Sequence, residues 1–203
     1  IFVVKLTGGA GAHVWSRGMG GTGADYGRGI VADGEGDVIV TGAMSATFSL
    51  GGASLTSAGS DDMFLAKYAS ATGAHLFSNR YGSTGIDSFG GVVVDASDQI
   101  VVVGSFNGTV NFGGAASLTA VSGADIIVAK YTLAGAHIWS DSYGGTGSEF
   151  GNDVALDANG DVTLVGSFCG TLNVGGSDLS SASPCAANDV FVASFSGTAG
   201  AHL

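Results

Sequence analysis

Three carboxylates, Asp25, Asp87 and Glu149, stand 62 residues apart in glycine-rich segments of one form, GGTGADYG (20–27), GSTGIDSFG (82–90) and GGTGSEFG (144–151). Set around one face they could collect cations, or, with Tyr26 and Phe89, line a site for a carbohydrate or peptide. The competing reading is that each accepts backbone N–H bonds from a loop whose donors would otherwise be unpaired. Recurrence in every unit favours the second, because a binding site usually differs from copy to copy. Asp157, Asn159 and Asp161 occupy positions one, three and five of a calcium-type loop. The sixth-position glycine is replaced by Val162 and the distal glutamate is missing, so a hairpin turn capped by its own Asp and Asn competes with the ion. His13, His75 and His137 occur once per unit. Metal bonds of about 2.1 Å cannot join residues so far apart, so surface histidines beside Trp15, Phe77 and Trp139 are expected. Cys169 and Cys185 are 16 positions apart without a CxxC pair. They are either a disulfide, if the compartment is oxidising, or two isolated thiols. No GxSxG is present, and no helix is expected to follow the GxG runs, as a phosphate loop requires.

These residues are positioned by an internal repeat. GAHVWS, GAHLFS and GAHIWS begin at Gly11, Gly73 and Gly135, and GAHL begins at Gly200, so the histidines step by 62, 62 and 65 residues. VADGEGDVIVTG (31–42), VDASDQIVVVG (94–104) and LDANGDVTLVG (156–166) keep the same step. So do DMFLAKY (62–68), DIIVAKY (125–131) and DVFVASF (189–195), and IFVVKL (1–6) is the same segment without its leading Asp. The second unit predicts four strands over 89–95, 99–105, 125–131 and 136–142. Asp, Asn and Gly between the first two mark a tight hairpin. A longer Gly/Ser-rich join, such as 45–61, separates the second and third. Stretches such as Ile100–Val103 have no polar alternation, which predicts sheets covered on both faces.

Units that bury both faces by stacking on copies predict an all-β, β-propeller-type array of four-stranded antiparallel blades with 62-residue repeats, the alternative being a linear β-solenoid. Residues 1–26 are read as the end of a preceding blade plus a connecting loop. Repeats one to three then span 27–88, 89–150 and 151–203, the last incomplete. The two ends overlap in content rather than complementing one another. Three and a fraction blades are also too few for a ring of four to eight. The expectation is a segment of a longer array, or a protomer whose open edges pair with another copy.

The recurring pattern W-S-x(3)-G-G-x-G-x-D-x-G, then apolar-x-D-x-x-G-[DN]-apolar-x-V-x-G, then D-x-F-[VL]-A-K-Y resembles the SBBP-type (seven-bladed) β-propeller repeat. Trp15, Gly20, Gly21, Asp25, Gly27, Asp33, Gly36, Val40, Gly42, Asp62, Phe64 and Lys67 carry it in the first unit, and the resemblance covers essentially the whole chain. It implies a propeller scaffold of the kind found in large bacterial secreted or cell-surface proteins, without common catalytic residues. The units are longer than that repeat by the insert seen in Phe106–Gly114.

Composition narrows the function further. Thirty-seven glycines, 45% hydrophobic and only 11% charged residues suit short strands and tight turns. Seventeen acidic against six basic residues give a net charge of −11, which disfavours nucleic acid and anionic membranes as partners. No apolar run approaches the roughly 20 residues of a membrane-spanning helix. The expected function is a non-enzymatic structural or interaction module of an extracellular bacterial surface or appendage protein, assembling with copies of itself or further repeats through open blade edges. A carbohydrate- or peptide-binding propeller is the alternative, and a channel-centred lyase or hydrolase ranks last. No cofactor is expected, calcium at Asp157, Asn159 and Asp161 being the one candidate.

Overall fold

Strand formers grouped in runs of five to eight and separated by Asp/Gly turns leave the backbone little choice but hairpins. A computed structural model describes residues 1–183 and 185–203; among them there is no helix, and the chain is all-β, built of several small antiparallel sheets. A hairpin opens the chain, β1 (Phe2–Leu6) against β2 (His13–Gly18). The first full sheet contains β3 (Gly20–Gly21), β4 (Asp25–Ala32), β5 (Val38–Ser49), β6 (Leu55–Tyr68) and β7 (His75–Tyr81). In it β4, β5, β6 and β7 pair in chain order, and β3 pairs with the far end of β5.

The second sheet repeats that order with β8 (Ser88–Val94), β9 (Gln99–Phe106), β12 (Asp125–Thr132) and β13 (His137–Tyr143); the join holds a small hairpin, β10 (Thr109–Val110) and β11 (Leu118–Thr119). The third sheet is β14 (Glu149–Leu156), β15 (Val162–Phe168) and β18 (Asp189–Phe195), with β16 (Thr171–Leu172) and β17 (Leu179–Ser180) as its small hairpin. A single bridge from His202 to Phe195 stands where the other sheets have a fourth strand. Among the described residues the sheets close into neither a barrel nor a ring.

The first hairpin of each sheet turns on one carboxylate. Asp95 Oδ1 accepts the N–H groups of Ser97 (2.8 Å) and Gln99 (2.9 Å), as Asp33 Oδ1 does from Glu35 and Asp37 and Asp157 Oδ1 from Asn159 and Asp161. The fourth residue of the turn is left-handed in all three copies: Gly36 (φ 76°), Asp98 (φ 55°) and Gly160 (φ 82°).

The sheets pack face to face, so consecutive residues of one strand serve different cores. On β9, Ile100 and Val102 enter a core with Ile39, Met63 and Leu65 of the first sheet, while Val101 and Val103 enter a core with Leu164, Phe168 and Phe191 of the third. Buried on both sides, such a strand has no position at which a polar residue would meet water, which explains its unbroken apolar run. A third core joins Val3 and Trp15 of the opening hairpin to Val40, Phe64 and Tyr68. Aromatic side chains clasp the outer strands together across these interfaces. The rings of Trp15, Phe77 and Trp139 lie over Gly73, Gly135 and Gly200, where an added Cβ would come within 2.7, 2.7 and 3.0 Å of ring atoms. Trp15 also donates its Nε1–H to Ser70 O (2.9 Å).

Candidate functional site

Asp25 and Glu149 open the first strands of their sheets, and Asp87 precedes β8 by one residue. Each carboxylate is used by its own loop. Asp87 accepts the Ser83 N–H at Oδ2 (2.6 Å) and the Asn107 N–H at Oδ1 (2.7 Å), tying the loop between sheets to the end of β9. Asp25 accepts from Gly21 (3.1 Å) and Ser45 (3.4 Å) in the same way. Glu149 accepts the Gly145 N–H at Oε2 (3.1 Å). The N–H equivalent to those of Ser45 and Asn107 belongs to Cys169, and it donates instead to Ser148 O (3.3 Å), so the buried Glu149 Oε1 has no partner among the described residues. Burial pushes the Glu149 carboxyl up to about 7; the Gly145 N–H opposes this and the nearby Asp125 charge adds to it. Burial likewise raises Asp87, against its two backbone donors and with a contribution from Asp62. None of the three carboxylates hydrogen-bonds to another among the described residues. Phe89 is buried edge-on to Tyr81, whereas Tyr26 is half-exposed beneath the Arg28 guanidinium, 5.4 Å from its ring centre.

Two further sets of charged groups escaped the sequence reading, although their Asp and Lys recur. Lys67 Nζ lies 2.7 Å from Asp33 and 3.3 Å from Asp37, and Lys130 Nζ lies 2.7 Å from Asp95, so the buried ammonium of the third strand is held by the hairpin turn of the first two. Burial works against the Asp95 carboxylate, but Lys130 and the backbone donors outweigh it and hold its pKa below the usual value. In the third sheet Ser194 replaces the lysine, and Asp157 keeps only its turn. The other set is the recurring Asp of the third strand, which opens β12 and β18 and lies within β6. Asp62 pairs with Arg80 and accepts the Ala58 N–H, whereas Asp125 keeps the backbone donor (Val121) but has Ser142 in place of the arginine, leaving Oδ1 buried and unpartnered among the described residues.

The calcium candidates are drawn into the turn: Asp157 accepts from Asn159 and Asp161, and Asp161 Oδ1 accepts the Gly197 N–H (3.1 Å). Among the described residues no group of three or more His, Cys, Asp or Glu side chains is placed to hold a metal ion. Asp157 and Asn159 border a cavity of about 520 Å³ between the second and third sheets, shared with Asp95, Lys130 and Trp139. The indole Nε1 of Trp139 is buried there without a partner among the described residues, unlike that of Trp15.

The histidines differ from the expected surface residues. His75 and His137 are half-buried, each covered by the Gly-Gly of its own unit's insert and set edge-on to Tyr68 and Tyr131. Each Nε2 lies 3.0 Å from a serine hydroxyl, Ser78 and Ser140, and burial lowers both pKa values. His13 is exposed. The insert, read only as extra length, is therefore the cap over this ring. Its Gly113 must be glycine: φ is 98°, and a Cβ there would lie 3.2 Å from that of His137.

Cys169 and Cys185 are joined as a disulfide with a Cα–Cα separation of 4.7 Å, tying the end of β15 to the loop before β18. Pro184, beside it, lies outside the described residues.

A second cavity, about 470 Å³, lies where the first strands of the three sheets approach one another. Arg28, Gly90 and Asn152 line it at one position of the repeat, in or beside the β-bulge that interrupts each first strand, together with Phe150 and Ser167. Unlike the loop carboxylates, the residue at this bulge position changes from unit to unit, while Ser105 and Ser167, equivalent to one another, both line the cavity. The chain matches no known family model, and no curated protein matches it in sequence.

Proposed function

We propose that this chain is a non-enzymatic structural or interaction module of an extracellular bacterial surface or appendage protein, its sheets acting as the four-stranded blades of a propeller-type array related to the SBBP repeat. One observation carries the reading: Asp25, Asp87, Lys67, Lys130, His75 and His137 stand at recurring positions and are occupied in holding their units. Asp25 and Asp87 close loops, Lys67 and Lys130 lock hairpins, and His75 and His137 sit under glycine caps. The disulfide supports an oxidising compartment. The test is labelling of intact producing cells with a membrane-impermeant biotin reagent. Labelling of this protein while a cytosolic marker stays unlabelled is the expected result, and confinement to the cytosol would overturn the proposal.

The alternative, a carbohydrate- or peptide-binding module, is favoured by the cavity around Arg28 and Asn152, because the bulge position that lines it is Arg28, Gly90 and Asn152 in turn while the scaffold repeats. A glycan and peptide array probed with the wild-type chain and with Arg28→Ala distinguishes the two. Hits lost in the variant support binding there, and an array without hits removes that alternative.

A further inference from the structure

Where the second sheet meets the third, two neighbouring carboxyls are buried with fewer partners than the same pair has one unit earlier. The earlier pair is Asp62 and Asp87, and its four oxygens are all engaged. Asp62 Oδ1 accepts the Ser57 hydroxyl (3.2 Å), and its Oδ2 takes the Ala58 N–H (2.9 Å) and the Arg80 guanidinium. Asp87 takes the Ser83 and Asn107 N–H groups. The later pair is Asp125 (1% exposed) and Glu149 (0%). It is held on the same backbone: the Asp125 carboxylate lies against Gly144 as Asp62 does against Gly82, the Gly145 N–H reaches Glu149 as Ser83 reaches Asp87, and the Glu149 N–H donates to Ala124 O (2.7 Å). Three donors are replaced together. Ser57 becomes Ala120, Arg80 becomes Ser142, and the N–H that Asn107 supplied is that of Cys169, which turns to Ser148 O. The Val121 and Gly145 N–H groups remain, and Asp125 Oδ1 and Glu149 Oε1 have no partner among the described residues.

We infer that Asp125 Oδ1 and Glu149 Oε1 are ligands of a bound calcium ion, which takes the place that the Arg80 guanidinium has in the first pair. Two buried carboxylates side by side are costly without a counter-charge. The protein has none to offer: Lys130 is the only Lys or Arg in residues 88–203, and it is held by Asp95 and Gly197 O. Burial of both carboxyls keeps a side chain of another molecule out. A water could donate to both oxygens but would leave both charges uncompensated, whereas a divalent cation supplies contact and charge together. The donors are hard oxygens, which suits calcium, and its flexible coordination lets backbone carbonyls and water complete a shell of about six to eight. Ser142 is too short to fill the volume of the arginine it replaces. The site is distinct from the turn at Asp157, Asn159 and Asp161, whose carboxylates are taken up by backbone N–H groups. It goes beyond the proposed function and does not depend on it.

The test uses the oxidised 203-residue chain, stripped with a chelator and titrated with calcium chloride at pH 8 in calorimetry and in thermal melting. The wild type is expected to bind one ion per chain and to melt higher by about 3–6 °C at roughly ten times the Kd. Glu149→Gln removes one ligand charge and is expected to lose both the binding and the shift. Ser142→Arg restores the guanidinium of the first pair; it is expected to melt above the wild type in chelator and to gain nothing from calcium. Asp157→Asn is expected to keep the full shift, which separates this site from the turn. Far-ultraviolet circular dichroism in chelator checks that each variant is folded, and the Glu149 and Ser142 variants report independently should one of them fail to fold. A wild type that neither binds calcium nor melts higher with it would overturn the inference and leave a proton or water at the two oxygens. A shift that persists in Glu149→Gln and in Ser142→Arg, or that is lost in Asp157→Asn alone, would overturn it by placing the ion elsewhere. The readout is on purified protein and independent of cell-surface labelling, so either proposal can fail without the other.

Discussion

One methylene separates Glu149 from its counterparts Asp25 and Asp87, and its consequence is electrostatic. The longer side chain keeps one loop donor but leaves Oε1 buried and unpaired among the described residues, and the pKa moves up to about 7. A carboxyl whose folded value exceeds its unfolded value contributes stability that is fully present below the unfolded value, near 4.5, and is lost as pH rises through about 7. Glu149→Gln, neutral throughout, is expected to melt like the wild type at pH 4 and higher at pH 8, by about 2–4 °C for each kcal/mol relieved. Melting curves across that range, taken in chelator, check it, and a gap that does not change with pH would contradict the account. Gly113 gives a second test at this scale. With φ at 98° and the His137 Cβ facing it, Gly113→Ala is expected to lose about 1–3 kcal/mol in denaturant unfolding. Of these two sites, the recurring carboxylate was legible in the sequence together with its loop role. The glycine cap was not, because nothing local to FGG announces that a ring from a distant strand will lie beneath it.

At the scale of the element, the hairpin turn is the unit to examine. Asp98 takes a left-handed conformation that Gly36 and Gly160 supply in the other two copies. Asp tolerates this region better than most residues, yet glycine adopts it without the Cβ clash. Asp98→Gly is therefore expected to stabilise the protein by about 0.5–1 kcal/mol, within the range of substitutions of this class. Equal or lower stability in urea unfolding would show that the Asp98 side chain has another use. The third sheet offers a complementary test, since it lacks the lysine that locks the other turns but carries the disulfide. Reduction, or Cys169→Ser with Cys185→Ser, is expected to remove about 2–4 kcal/mol by releasing a short closed loop. Amide exchange should then accelerate first in β15 and β18, and uniform acceleration across all sheets would count against a local role.

For the whole molecule, stability comes from interfaces between sheets rather than from a single central core. Three clusters follow one another along the stack, and β5, β6, β9 and β12 each contribute to two of them. A substitution at Val102 is thus expected to weaken the junction of the first and second sheets, and one at Val101 the junction of the second and third, though the residues are adjacent. Val102→Ala and Val101→Ala should each cost roughly 1–3 kcal/mol. Amide exchange is expected to show opening on opposite sides of β9, and identical exchange patterns would contradict the two-core arrangement.

The sequence by itself determined the all-β class, the positions of the strands and the hairpin turns, because these follow from local rules: apolar runs of strand length, Asp and Gly at the turns, and a step that recurs. The strands expected over 99–105 and 125–131 appear as Gln99–Phe106 and Asp125–Thr132. It also marked the loop carboxylates Asp25, Asp87 and Glu149 by their recurrence, but not the partners of the recurring Asp33, Asp95 and Asp62. Only the tertiary structure decided what each partner is. Lys67 meets Asp33 across 34 positions, His137 lies under Gly113 and Gly114, and Trp15 rests on Gly73. Such pairings are set by how one sheet twists and settles on the next, a packing outcome that no window of neighbouring residues encodes. The same holds for burial. Val190 and Ile126 look alike in sequence, and their difference in burial comes entirely from whether another sheet lies above them.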